Sequence, residues 1–296
     1  MTASAELSRC SLNQATINDA DLVTAIEACV RAGIPSIGVW RRQLAQRGAL
    51  EASRALRAAG LRVSSLCRGG FFTSDDDSGW RRELDDNRRA IDDAHTLGSP
   101  VLVLVPGGIP DGGSLARAHA RVREAIEALV PHAASAGITL ALEPMHPVFA
   151  ADRGVVSTIA HALEIVDGLP AEIVGIAVDS YHVWWDPRMT EQITRAGASG
   201  RLALVQVADW LPPTGDPLVA RAFPGEGRID FASFATAVEA AGYTGSIEWE
   251  IFNASLWKDD PLRVAARVAE AHRLLLAPAL SHGNPPSQHV ADEEAP

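Results

Sequence analysis

Ser246-Ile247-Glu248-Trp249-Glu250-Ile251-Phe252 follows a Gly-Tyr-Thr-Gly break and alternates β-branched or aromatic residues with polar ones. That pattern is the signature of a short strand. At period two, Ile247, Trp249 and Ile251 share one face, and Glu248 and Glu250 share the other. A pair of carboxylates on the inward face of a buried strand is costly unless it holds a metal, meets a cation or takes up protons. Working outward, three more apolar strands end in groups able to ligate a metal: Ile138 to Glu143, Val174 to Asp179 and Leu202 to Gln206. The recurrence points to one polar centre at one rim of a closed sheet.

The remainder of the chain repeats the same plan. Weak or short strands are expected at Cys10 to Asn13, Ile37 to Trp40 and Val63 to Cys67. Val101-Leu-Val-Leu-Val105 is apolar throughout, as a strand covered on both faces must be. Helices are expected over about 21–32 (capped by Asn18 or Asp19), 44–59, 80–97, 115–136, 156–169, near Thr190, 231–241 and 262–277, several of them stopped by glycine. Strand ends at Asn13, Trp40, Cys67, Val105, Glu143, Asp179, Gln206 and Glu250 are each separated by enough residues for one crossover. A series of eight such units closes as a single (βα)8 barrel, an α/β fold. A doubly wound sheet would carry a GxGxxG turn after its first strand, and none is present. Parity agrees with a barrel: Ala141 and Thr139 behind Glu143, and Ala177 and Gly175 behind Asp179, are small enough for a crowded interior. The catalytic domain is therefore expected to span 1–277. The Pro-, Ser-, His- and Glu-containing segment 278–296 reads as a disordered tail.

The net charge of -11 argues against a nucleic-acid surface. Three scattered cysteines without a CxxC suggest a reducing compartment, and the absence of a basic, apolar leader or a long apolar run suggests a cytoplasmic protein without membrane segments. In a barrel the active site lies at the C-terminal ends of the strands, where Glu143, Asp179, Gln206 and Glu250 stand. Three carboxylates and an amide oxygen suit Mn²⁺ best, with Mg²⁺ or Co²⁺ as substitutes, rather than structural zinc.

Several motifs carry a family resemblance: Glu143-Pro-Met-His146-Pro, Asp179-Ser-Tyr-His182-Val-Trp-Trp-Asp186-Pro, Gln206-Val-Ala-Asp209-Trp, Gly225-Glu-Gly-Arg-Ile-Asp-Phe and Glu248-Trp-Glu250-Ile-Phe. Together, over about residues 8 to 277, they resemble the xylose isomerase-like TIM-barrel superfamily of sugar isomerases and epimerases. Members similar to D-tagatose 3-epimerase hold one divalent metal through Glu, Asp, His and Glu. The resemblance maps these onto Glu143, Asp179, Gln206 and Glu250, makes the two glutamates the proton-transferring groups, and makes His182 a sugar contact. Gln206 departs from the family's histidine and offers a neutral amide oxygen.

Other substrate-binding candidates come from the residues themselves. Arg68, beside Gly69-Gly70, suits a phosphate or carboxylate, or else a salt bridge to Asp75-Asp76-Asp77. His146 stands in a rim loop, and Trp40 and Trp185 are indoles near strand ends, where sugars stack. Asp209 is expected to support the site as an acceptor, and Glu248 to lie buried beside a basic partner. The resulting expectation is a metal-dependent sugar isomerase or epimerase that removes a proton next to a carbonyl through an enediolate. A lyase or dehydratase acting on an oxo-sugar, inosose or glycoside, and a non-catalytic barrel without its metal, are the alternatives. The partner is a small carbohydrate, and a homo-oligomer is compatible with the sequence.

Overall fold

The computed structural model of the protein describes residues 5–212 and 215–280. Its eight strands are β1 (Cys10–Asn13), β2 (Ser36–Trp40), β3 (Arg62–Gly70), β4 (Val101–Val105), β5 (Thr139–Leu142), β6 (Val174–Asp179), β7 (Leu202–Val207) and β8 (Ile247–Trp249). All are parallel, each pairs with the next, and β1 closes on β8 with Ser11 opposite Glu248. The (βα)8 barrel expected from the strand spacing is the fold of this chain.

Helices wrap the outside because their apolar stripes need cover and the outward faces of the strands supply it. Val101, Val103, Ala141, Ala177 and Leu204 pack with Cys67 inside the barrel, separately from the large cluster between sheet and helices. Gly38 serves this interior: a Cβ there would come within 2.8 Å of Asn13 Nδ2 and 2.9 Å of Glu248. The space that a side chain would need is taken by the acidic layer.

Local chemistry moved several helix boundaries. The first long helix, Leu22–Ala32, is capped by Asp21, which accepts from Thr24 N; Asn18 and Asp19 precede it. The stretch expected as one helix over 44–59 is divided into Arg41–Ala45 and Ala49–Ala58, with Gly48 between them at φ 85°. Asp76 accepts from Gly79 N and starts the next helix at Asp77, a turn earlier than hydrophobic periodicity indicated. The helix expected over 156–169 is shortened to Ile159–Ile165: Thr158 caps its start, and it ends at Val166. Ala277–Leu280 form another helical turn, so helical backbone continues past Pro278; the rest of the expected tail, 281–296, lies outside the described residues.

Candidate active site

Glu143 and Glu250 stand one residue beyond β5 and β8, Asp179 is the last residue of β6, and Gln206 is the last but one of β7. Strand pairing sets Asp179 opposite Gln206, and Gln206 opposite Glu248. All five side chains are buried at the C-terminal rim. The barrel thus brings together the four residues that the strand ends suggested as ligands.

Their hydrogen bonds differ from one another. Gln206 Nε2 donates to Glu248 Oε2 at 3.1 Å and Glu250 Oε1 at 3.2 Å, while Gln206 Oε1 has no donor. Glu248 also accepts from Asn13 Nδ2 and Ser64 Oγ. The basic partner expected for Glu248 is absent from these bonds: two side-chain amides and a hydroxyl bond to it instead.

The cation in the centre is Arg221, which sequence reading passed over. Its Nη1 donates to Asp179 Oδ2 at 2.7 Å, Glu250 Oε2 at 3.2 Å and the Glu250 carbonyl at 3.1 Å. The guanidinium lies between the rings of Tyr181 and Phe252, 4.6 and 4.8 Å from their centroids. Its backbone is fixed by Arg221 N donating to Phe252 O and Asn253 Nδ2 donating to Arg221 O. The local sequence, Val219-Ala-Arg221-Ala-Phe223, gave one signal: an arginine flanked by apolar residues in a loop.

Burial governs the acids. It pushes the Glu143 carboxyl up to about 8, with help from nearby Asp179 and against Arg221. It also raises Asp179 and, strongly, Glu250, again opposed by Arg221. Close carboxylates in a dry site cannot all ionise at once, so they share protons or take up a cation. On Arg221, burial works against the charged form, but Asp179 and Glu250 outweigh it and the pKa is raised.

His182 lies on the short helix Ser180–Val183 after β6. Its Nδ1 accepts from His146 N at 3.2 Å, and burial keeps the ring neutral by holding its pKa well below the ordinary value. Its Nε2 lies 3.2 Å from Arg221 Nη2, 3.8 Å from Glu143 Oε1 and 4.0 Å from Asp179 Oδ2.

A cavity of about 140 Å³ opens above these groups. Glu143, Glu250 and Arg221 form its polar floor, Trp40 and Phe252 an aromatic side, and Arg68 and Arg153 a basic side. The expected alternative for Arg68, a salt bridge to Asp75, Asp76 or Asp77, does not form: Asp75 and Asp77 pair with Arg117 and Arg121. The Arg68 guanidinium makes no hydrogen bond or ion pair among the described residues and lies 4.0 Å from the Phe71 ring centroid. Asn87 holds this wall by bonding both N and O of Gly70.

Four expected substrate contacts do not line this cavity: His182, which is fully buried, and Asp209, His146 and Trp185. Asp209 accepts from the backbone N–H groups of Trp210, Gly225, Gly227, Arg228 and Ile229, so both its oxygens are occupied in shaping the following loop. The His146 ring stacks on Trp210 at 4.5 Å, and Trp185 Nε1 donates to His182 O. Trp40 does line the cavity, its indole held by Asn13 Oδ1 at 2.7 Å.

The donor set fits a divalent cation. Glu143 Oε1 and Gln206 Oε1 are buried acceptors without donors, and Glu143, Asp179 and His182 each offer an atom within 4.8 Å of the others. Buried oxygens lacking any donor are the groups that a hard cation satisfies.

An eight-stranded parallel barrel with buried acids at its C-terminal rim is a TIM barrel with a polar cluster where that fold places its active sites. The chain belongs to the xylose isomerase-like TIM-barrel family, which its residues 24–275 match. It is 44% identical to protein SMc04130 from Sinorhizobium meliloti 1021, with a TM-score of 0.88 over 91% of this chain and 98% of that one. It is 21% identical to the inosose isomerase of Bacillus velezensis over 88% of this chain and 95% of the relative. The structure of IolI protein with a bound zinc atom shares the fold at 20% identity and a TM-score of 0.77, over 92% of this chain and 98% of that one.

Proposed function

We propose that this chain is a divalent-metal-dependent isomerase or epimerase of a small polyhydroxy carbonyl compound. The observation carrying this reading is the pair Glu143 and Glu250: two buried carboxylates, both with raised pKa, that face one cavity at the barrel rim. Membership of the family and the name of the inosose isomerase relative support it.

Proton transfer next to a carbonyl needs a base at the carbon and positive charge near the oxygen. Glu143, Asp179, Gln206 and Glu250 would hold the metal, which supplies that positive charge when bound; Mn²⁺ suits the oxygen-rich set. Of the two glutamates, the ionised one takes the proton and the protonated one returns it. Delivery to the opposite face of the carbon gives an epimer, and delivery to the neighbouring carbon gives an aldose-ketose isomer. His182 would contact a substrate oxygen. Trp40 would pack against the carbon skeleton. Arg68, with Arg153 beside it on the cavity wall, would take an acidic substituent such as a carboxylate or phosphate.

The test is solvent exchange. Chelator-stripped protein reloaded with Mn²⁺, Mg²⁺ or Zn²⁺ is incubated in D₂O with ketoses, inososes and their acidic derivatives, and product is read by NMR. Deuterium at the carbon beside the carbonyl, lost in Glu143→Gln and Glu250→Gln, supports the reading. A product lacking the elements of water indicates a lyase, and no exchange with any compound removes the proton-transfer assignment.

A further inference from the structure

The Arg68 guanidinium is held in place without a carboxylate partner. It lies on the Phe71 ring at 4.0 Å, and Phe71 itself stands at φ 61°, in the left-handed region where a bulky side chain is rare. Phe71 N donating to Val105 O at 2.7 Å, and Asn87 bonding both sides of Gly70, fix that backbone. Burial, followed by the charges of Arg153 and Arg41, pulls Arg68 below its ordinary pKa, the direction expected of a cation without a counter-ion. Trp40, Cys67 and Arg68 also line a second cavity, of about 460 Å³, so the rim cavity and this annex meet along a shared wall. The other charged residues of the annex are Arg41, Arg42 and Asp86. Asp86 is already engaged: its Oδ1 accepts from Arg41 and Arg89, and its Oδ2 from Arg41. Arg42, on the short helix Arg41–Ala45 after β2, uses only Nη2, which donates to Asn18 O and Oδ1; its Nε and Nη1 have no partner among the described residues. Two guanidiniums with free N–H groups therefore face the annex, and its carboxylate is taken.

We propose that the annex is a phosphate subsite, in which Arg42 and Arg68 hold the phosphate ester of a carbohydrate whose carbonyl end lies in the rim cavity beside Glu143 and Glu250. The inference rests on the isomerase reading above and narrows its substrate to a sugar phosphate. Charge decides where the phosphate goes. The rim cavity is the smaller of the two and carries Glu143 and Glu250, so a dianion inside it would meet the carboxylate that has to be ionised to act as the base. Arg153, which lines that cavity and not the annex, donates through Nε to Asp152 at 2.7 Å. The annex offers more room, and its guanidiniums outnumber its carboxylate. Trp40 stands between the two spaces with its indole fixed by Asn13 Oδ1 at 2.7 Å and by the Phe252 ring at 5.3 Å, an apolar face along which the carbon chain would pass. Two separate guanidinium forks match a tetrahedral phosphate with three terminal oxygens, whereas a carboxylate is satisfied by one fork.

The experiment titrates chelator-stripped wild type, Arg42→Met, Arg68→Met and Arg153→Met with inorganic phosphate, and separately with acetate, by calorimetry. Phosphate is expected to bind at least about tenfold more weakly to Arg42→Met and to Arg68→Met than to wild type, because each loses a charge-assisted bond. Arg153→Met changes only the rim cavity and is expected to shift the affinity by less than about threefold. Acetate is expected to bind wild type at least about tenfold more weakly than phosphate. The proposal is overturned by unchanged phosphate affinity in Arg42→Met, by a loss in Arg153→Met as large as that in Arg42→Met, by acetate binding as tightly as phosphate, or by no phosphate binding to wild type in the millimolar range. Arg42 is exposed, so its replacement is expected to leave the melting temperature within a few degrees of wild type. Should Arg68→Met not fold, the Arg42→Met comparison decides alone. The two readings fail separately. Phosphate binding that depends on Arg42 supports the subsite even where no sugar phosphate exchanges a proton in D₂O, and that second result removes the isomerase reading alone.

Discussion

Asp179 and Arg221 meet at 2.7 Å beneath the cavity, with side-chain exposures of 0% and 2%. The pair joins the end of β6 to a loop between β7 and β8, forty-two residues away in sequence. A buried charge pair of this kind gives little net stability, because desolvation offsets much of the attraction, but removing one partner leaves the other uncompensated. Its consequence is functional: the charge state of the whole rim depends on what neutralises the acids.

Glu250→Gln retains the size of the side chain and removes its charge. Turnover is expected to fall by at least about a hundredfold, the scale of a general acid or base, while the melting temperature changes by no more than a few degrees. Steady-state kinetics beside a thermal melt checks this. Intact turnover would mean that Glu250 does not move the proton.

Glu143 predicts a pH dependence with a definite sign. Its carboxyl is raised from the ordinary 4.5 to about 8, burial being the main cause, so the folded state retains a proton that the unfolded chain has released. This contribution to stability is fully present below about 4.5 and is lost as pH rises through about 8. Glu143→Gln, which mimics the protonated acid at every pH, is expected to match wild type at about pH 5 and to exceed its melting temperature by several degrees at about pH 9 in metal-free buffer. A constant difference across that range would show that Glu143 does not titrate in this way.

Gln206→His replaces an amide by an imidazole lone pair at a position whose oxygen lacks a donor. Zn²⁺ and Mn²⁺ are expected to bind at least about tenfold more tightly, since imidazole is the stronger ligand. Calorimetry on stripped protein measures this directly, and weaker binding would show that the amide bonds to Glu248 and Glu250 organise the site more than a new ligand can.

Arg68→Met should raise KM for acidic substrates by about tenfold or more and leave neutral ones nearly unchanged, because a charge-assisted bond is lost only where the substrate carries charge. Kinetics with matched acidic and neutral sugars decide it. Equal effects on both would reduce Arg68 to a packing role on Phe71.

Asp209→Ala leaves five backbone N–H groups without their acceptor. Destabilisation of about 3 kcal/mol or more is expected in urea unfolding, with a disturbed loop at Gly225 to Ile229. A loss below about 1 kcal/mol would mean that water replaces the carboxylate at little cost.

By itself the sequence determined the barrel and the acid ring. Strand residues are selected by parity, so Ala141 behind Glu143 and Ala177 behind Asp179 record which face is interior, and strand spacing records the crossovers. Glu143, Asp179, Gln206 and Glu250 were legible because closing a barrel puts successive strand ends on one rim. Helix limits were less legible: Asp21, Asp76 and Thr158 act through single hydrogen bonds that apolar periodicity does not register. Only tertiary structure decided what neutralises the acids. Arg221 comes from an irregular loop with no period, held by Phe252 and Asn253 from beyond β8. Tertiary structure likewise assigned Asp209 to a loop, separated Arg68 from the acidic run and gave Glu248 neutral partners. These are long-range pairings, set by how loops cross the rim after the barrel has closed, and local sequence carries no record of them.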